Sequence, residues 1–234
     1  MEPINSPAAG SAVAQRAIPM RIVRATAEDL EAVVRLADEA SAWLRSKGTD
    51  QWQRAWPDET GRNDRVLSGL RNGETWIVWD ADIPAATVTI TTEHDPGVWS
   101  EPACTCDLGE PATYVHRLIT ARNYSGRGLG AEMIGWAGLH GRRDYGAQWI
   151  RIDVWTTNKA LHDYYLKTGF ESCGFCPDPG YPSGALFQKP VAAIVKPSMP
   201  KRPLMPRSAA PVAPANPMCE RAWAAKLWAR MTTK

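Results

Sequence analysis

The stretch from Thr113 to Ala131, TYVHRLITARNYSGRGLGA, contains the ingredients of an anion cradle. An extended run leads into Ser125-Gly126-Arg127-Gly128-Leu129-Gly130, and a helical pattern begins at once. Three closely spaced glycines let backbone N–H groups approach an anion without interference from Cβ atoms. A helix start adds unpaired N–H donors and a partial positive charge. A pyrophosphate suits such a place; a tight strand-to-helix turn without ligand is the plain structural alternative. No G-K-[ST] follows, which excludes a Walker-type loop. Gly126, Gly128 and Ala131 fit G-x-G-x-x-A, but a dinucleotide site wants an acidic residue about 20 positions further on. Asp153 comes late for that and sits inside a strand pattern, so a nicotinamide cofactor is poorly served.

His116 lies on the strand that feeds the cradle. Its ordinary pKa suits it to take a proton from an attacking ammonium; it reads equally well as a satisfied strand histidine. Asp153 is a second candidate base, or a structural acid paired with Arg151 or Arg117. Tyr165 follows Asn158 by two helical turns, so the two share a face. Cys104-x-Cys106 and Cys173-x-x-Cys176 together could give zinc four thiolates. An odd total of five cysteines in a chain this long points instead to unlinked, reduced thiols and no metal.

The elements that must carry these residues are legible in outline. MRIVRA (20–25) reads as a strand, and Thr26 with Asp29 as a capping box opening a helix that runs to about Arg45. A Trp-rich connection covers Lys47 to Arg62, and a short helix Asp64 to Arg71 ends at Asn72-Gly73. Strands are expected at 74–79 and 85–92 about an Asp80-Ala81-Asp82 hairpin, then at 113–120 and 149–154. Helices are expected at 129–142 and 158–168. Phe170–Phe175 and Ala185–Gln188 close the pattern.

At 44% hydrophobic and 22% charged residues in 234, the chain is of ordinary globular composition. No apolar run approaches the roughly 18 residues of a membrane span, and no secretory leader pattern opens it, so the expected compartment is the cytoplasm. Residues 1–19 are rich in Ala, Ser, Pro and Gly and read as a disordered tail. Eight prolines make 190–217 an extended linker, and 218–234 reads as a short basic, helical tail. Residues 190–234 hold eight Lys or Arg against one Glu, about +7, which leaves the body about −5 within a net charge of +2. The tail's charge suits nucleic acid or an anionic surface, but it lacks a folded platform for one.

The run Arg151 to Phe170, RIDVWTTNKALHDYYLKTGF, completes a pattern. With the glycine-rich turn it resembles the GNAT acetyltransferases. Their [RQ]-x-x-G-x-[GA] signature matches at Ser125, Gly128 and Gly130, with Ser125 standing where the family carries Gln or Arg. Their Asn and Tyr-x-x-x-Gly-Phe match at Asn158, Tyr165, Gly169 and Phe170. The resemblance covers about 20–189. It implies an α/β (α+β) fold with a central, mostly antiparallel sheet, opened at one parallel pair and flanked by helices. It further implies acetyl-CoA as co-substrate and direct transfer to a primary amine of a small molecule or protein. Leu118, Ile119 and Thr120 would then meet the pantetheine arm through their backbone. Ser125, Gly126, Arg127, Gly128, Leu129, Gly130 and Ala131 would hold the pyrophosphate. Asn158 would touch the cofactor, or simply cap its helix. Tyr165 would protonate the leaving thiolate, with Tyr164 packing in the core. Trp43, Trp52 and Trp56 would flank the acceptor, or pack. Family members often pair as homodimers. The rival function is an acyl-CoA-binding sensor without turnover.

Overall fold

The computed structural model describes residues 20–53, 58–101 and 104–194. The N-terminal tail, most of the proline-rich linker and the basic tail lie outside these residues, as does Trp56.

Each element begins where a local signal tells it to. β1 (Arg21–Arg24) leads to Thr26, whose side chain and that of Asp29 form the expected capping box ahead of α1 (Leu30–Ser46). α2 (Glu59–Arg71) starts a turn earlier than Asp64, because the Asp58 carboxylate accepts the Gly61 N–H at 2.8 Å. β2 (Thr75–Asp80) and β3 (Ile83–Thr91) form a hairpin whose Ala81 takes φ 53°. There follow β4 (Ala112–Thr120), α3 (Leu129–Tyr145), β5 (Trp149–Val154), α4 (Lys159–Lys167), β6 (Glu171–Phe175) and β7 (Ala185–Pro190). The chain stays with the body past β7: Val191 is buried and its N–H donates to Gln148 O at 2.8 Å.

The seven strands form one sheet in the order β1-β2-β3-β4-β5-β7-β6. Every pairing is antiparallel except β4 with β5. This topology is not the doubly wound parallel sheet of a dinucleotide site, and it removes that reading. The parallel pair runs from Ala112↔Trp149 to Val115↔Ile152 and stops, although β4 continues to Thr120. The register of β4 on β3 also slips between Thr87 and Thr89, where Arg117 is forced to φ 47°. A bulge of this kind bends its strand and re-aims its side chains. The sheet therefore opens at its centre.

Successive side chains of β2 serve opposite faces. Ile77 packs with Val33, Val34, Val66 and Leu70 of α1 and α2. Val78 joins the main core with Met133 and Ala137 of α3 and Tyr165 of α4. Both are fully buried, each side chain contributing about 1.5–3 kcal/mol. A third cluster gathers Trp99, Cys104, Cys106, Tyr114, Cys173 and Cys176. Here the expectation of unlinked thiols is corrected. Cys104 and Cys106 are joined by a disulfide, while Cys173 and Cys176 are free and buried. The cause is the turn of the C-x-C segment, in which the Cys106 N–H points back at Cys104 Sγ, 3.4 Å away. Among the described residues, no helix is long and apolar enough to cross a membrane.

Candidate active site

Where β4 and β5 part, a cleft of about 590 Å³ opens. β4 lines it with His116, Leu118 and Ile119, β5 with Asp153, and α4 with Leu161 and Tyr165. From His116 onward the β4 edge facing β5 has no strand partner. Backbone donors and acceptors left this way must find a partner or water. Arg117, held in a left-handed conformation worth about 1–3 kcal/mol of strain, also faces the cleft. Burial and the nearby Arg65 bring its guanidinium down to about 10, still charged at neutral pH.

The two candidate bases form a pair. Asp153 Oδ1 lies 3.0 Å from His116 Nδ1, and the Tyr181 hydroxyl donates to Asp153 Oδ2 at 2.8 Å. Among the described residues no ion pair joins Asp153 to Arg151 or Arg117, although its charge acts on the Arg117 guanidinium from further off, which corrects that expectation. Neighbouring backbones on the parted strands bring His116 and Asp153 together instead. His116 Nε2 reaches Thr91 Oγ1 at 3.3 Å and retains more exposure than Asp153, 28% against 9% of the side chain. Burial pushes the Asp153 carboxyl up, but the His116 hydrogen bond and charge, with the Tyr181 hydroxyl, outweigh it and hold it below the usual aspartate range. A neutral imidazole oriented by a buried carboxylate can accept a proton in the cleft, and the carboxylate then stabilises the charge it gains.

Tyr165 is 8% exposed and packs edge-on to Phe170. Tyr164, expected in the core, is 39% exposed; the helix turns Tyr165, not Tyr164, toward the sheet. Burial, then Tyr164 and the Asp153 charge, raise the Tyr165 phenol well above its ordinary value. It therefore stays protonated at neutral pH and keeps a proton to give. Asn158 caps α4, its Oδ1 accepting the Leu161 N–H at 3.0 Å, while its Nδ2 donates to Gln51 Oε1 at 2.6 Å. Each end of its carboxamide thus holds one protein group, with a second Nδ2 hydrogen and a second Oδ1 lone pair to spare.

That second bond belongs to a clasp absent from the sequence reading. Asp50 accepts from Thr157 Oγ1 at 2.6 Å and from Trp155 Nε1 at 3.1 Å. The loop after α1 is thereby tied to the loop before α4, and Trp52 and Trp155 both line the cleft. Trp43 does not: it lies under the Arg122 guanidinium, 3.7 Å from its ring centre. Tyr181, Gln51 and Asp50 sit in loops with no periodic signal, and only strand pairing brings them near residues far away in sequence.

Thr120 and the turn Ser125–Ala131 lie outside the lining of this cleft, at the start of α3. Gly126 and Gly128 have φ 74° and 78°, the left-handed region where a side chain is strained, and a Cβ on either would meet open space. α3 opens with no side-chain cap on its first N–H groups. The Leu129, Gly130 and Ala131 amides can therefore receive an anion.

Residues 37–170 match the Acetyltransferase (GNAT) family. The chain belongs to this family and is an acetyltransferase. It is 29% identical over 171 residues to an uncharacterized N-acetyltransferase, YesJ, of Bacillus subtilis, covering 71% of this chain and 87% of that one. A GNAT-family acetyltransferase from Streptococcus agalactiae shares the fold, with a TM-score of 0.57 at 23% identity over 73% of this chain and 95% of that one. A PaiA N-acetyltransferase from Thermoplasma acidophilum, solved in complex with coenzyme A, matches with a TM-score of 0.54 at 14% identity, covering 74% and 99%.

Proposed function

We propose that the protein transfers the acetyl group of acetyl-CoA to a primary amine by direct attack in a ternary complex. The observation that carries the reading is the convergence of the Asp153–His116 pair and the Tyr165 phenol on the gap between β4 and β5. The pyrophosphate lies on the Gly126–Ala131 turn, with backbone N–H groups of Leu129, Gly130 and Ala131 among its donors. The pantetheine arm runs along Leu118, Ile119 and Thr120 and brings the thioester into the cleft. An amine nitrogen attacks the thioester carbonyl, whose oxygen takes up charge facing the unpaired β4 edge. The C–N bond forms, the C–S bond breaks and the thiolate takes the Tyr165 proton. The amine proton passes to His116, which Asp153 orients. Asn158 fixes the start of α4, and hence the direction of Tyr165.

The cleft carries Arg62, Arg65 and Arg117 beside Glu74, Glu93 and Asp95, so no single charge sign selects the acceptor. The test is release of free CoA from acetyl-CoA against a panel of small amines, amino acids and peptides. Amine-dependent release, lowered in His116→Ala, supports the reading. Acetyl-CoA binding without release for any amine would favour a sensor.

A further inference from the structure

The four cysteines of the third cluster have no part in the chemistry above. The sulfurs of Cys104, Cys106 and Cys173 lie within 4.8 Å of one another, and all three are buried. They come from distant segments joined by backbone: Cys104 bridges Gly174, and the Thr105 N–H donates to Cys173 O at 2.9 Å. Cys176 lies three residues after Cys173, a spacing that puts side chains on opposite faces of a regular strand. A bulge between Ser172 and Gly174 breaks that alternation, and Cys173 and Cys176 are buried in one cluster.

A second observation points to an anion at this place. Arg151 is fully buried, and its guanidinium donates only to neutral groups: Tyr114 OH at 2.8 Å, Asp107 O at 2.6 Å and Gln188 Oε1 at 3.3 Å. No carboxylate among the described residues pairs with it. A buried cation ordinarily has a partner. Tyr114, which accepts from Arg151, belongs to the cysteine cluster.

We propose that Cys104, Cys106, Cys173 and Cys176 bind a zinc ion when reduced. A thiol reductant supplies the two electrons and two protons that open the Cys104–Cys106 disulfide, itself becoming a disulfide. Zn²⁺ then replaces the four thiol protons, which leave to solvent. Tetrahedral zinc with Zn–S bonds near 2.3 Å sets its sulfurs about 3.8 Å apart. The Cys173 sulfur already lies within 4.8 Å of the other two, and opening the disulfide lets Cys104 and Cys106 separate. Cys176 Sγ turns to the ion from Gly97 O, to which it donates at 3.4 Å. Four thiolates around the ion carry about −2 net charge, the counter-charge Arg151 lacks. The site is structural, because closed sulfur coordination leaves no position for substrate. It would pin the loop between β3 and β4 to β6, and Tyr181, which orients Asp153, packs against the same cluster.

The full chain, purified with a thiol reductant and no chelator, is assayed for metal by mass spectrometry, then stripped and titrated with Co²⁺. About one zinc per chain and the absorption of tetrahedral cobalt thiolate are expected. Cys173→Ser should abolish that absorption, Cys176→Ser should weaken Co²⁺ binding at least about tenfold, and Cys219→Ser should change nothing. A folded, reduced wild type with its thiols free and no cobalt spectrum overturns the proposal, even if the serine variants fail to fold. So does a Cys104–Cys106 disulfide that survives reductant, or metal retained in Cys173→Ser. These readouts involve no acetyl transfer and stand whatever the acceptor proves to be.

Discussion

At the scale of single residues, the division of labour follows from environment. Tyr165 and Asp153 are both largely withdrawn from water, yet burial leaves one protonated and the other, through its partners, ionised. Tyr165→Phe keeps the ring packing on Phe170 and removes only the proton. It should lower kcat about 10²-fold or more with the KM for acetyl-CoA nearly unchanged, read by steady-state kinetics. Asp153 makes a prediction about stability. Its folded pKa lies below its ordinary value of 3.8, so its contribution is complete above that value and is lost as pH falls through the depressed one. Urea unfolding of the wild type should weaken across that acid window, and Asp153→Asn should be less stable near neutrality and show less of that acid dependence. An unchanged acid dependence in the variant would remove the His116–Asp153–Tyr181 cluster as its source.

Secondary-structure elements show what a sequence can and cannot convey. The glycine-rich turn and the signature of α4 were legible because their cues are local: glycines that must take positive φ, a cap, an Asn and a Tyr two turns apart. The capping box of α1 was legible for the same reason. The start of α2 was not, since Asp58 sits in a Trp-rich segment without a helical period. Tyr165 and Tyr164 could not be sorted by periodicity alone, because adjacent residues differ by only 100° around the axis and the sheet decides which one it covers. The clasp from Asp50 and Gln51 to α4 joins residues more than 100 apart, and no local pattern announces it. Asn158 tests its weight. Asn158→Ala removes both the cap and the Gln51 bond and should cost about 1 kcal/mol from the cap alone. Thermal denaturation should show a lower Tm, and a Tm unchanged from wild type would mean that neither bond matters.

Across the whole molecule, the proposed reaction is set at one interruption of the sheet. Five strand pairings hold continuous registers or recover after a bulge, whereas β4 and β5 part after four paired residues. The parting joins the two halves of the sheet without closing them, and the α3 turn and the cleft flank the gap. The topology followed from recognising the family signatures; periodicity could show only that strands and helices alternate. The negative balance of the body is not gathered in the cleft, whose wall mixes both signs, because net charge says nothing of where charges gather. The central claim is that acetyl-CoA lies across this gap with its pyrophosphate on the first turn of α3. Gly130 is the place to test it: it is helical, and a Cβ there meets only Thr120 Oγ1 at an ordinary 3.7 Å. Gly130→Asp puts a carboxylate where the helix dipole tolerates it and a bound phosphate does not. Calorimetric titration of acetyl-CoA into the wild type and this variant is the most direct measurement. The account predicts micromolar binding by the wild type, weakened at least about tenfold in a variant whose circular dichroism and Tm are unchanged. Equal binding by the folded variant, or none by the folded wild type, would contradict it.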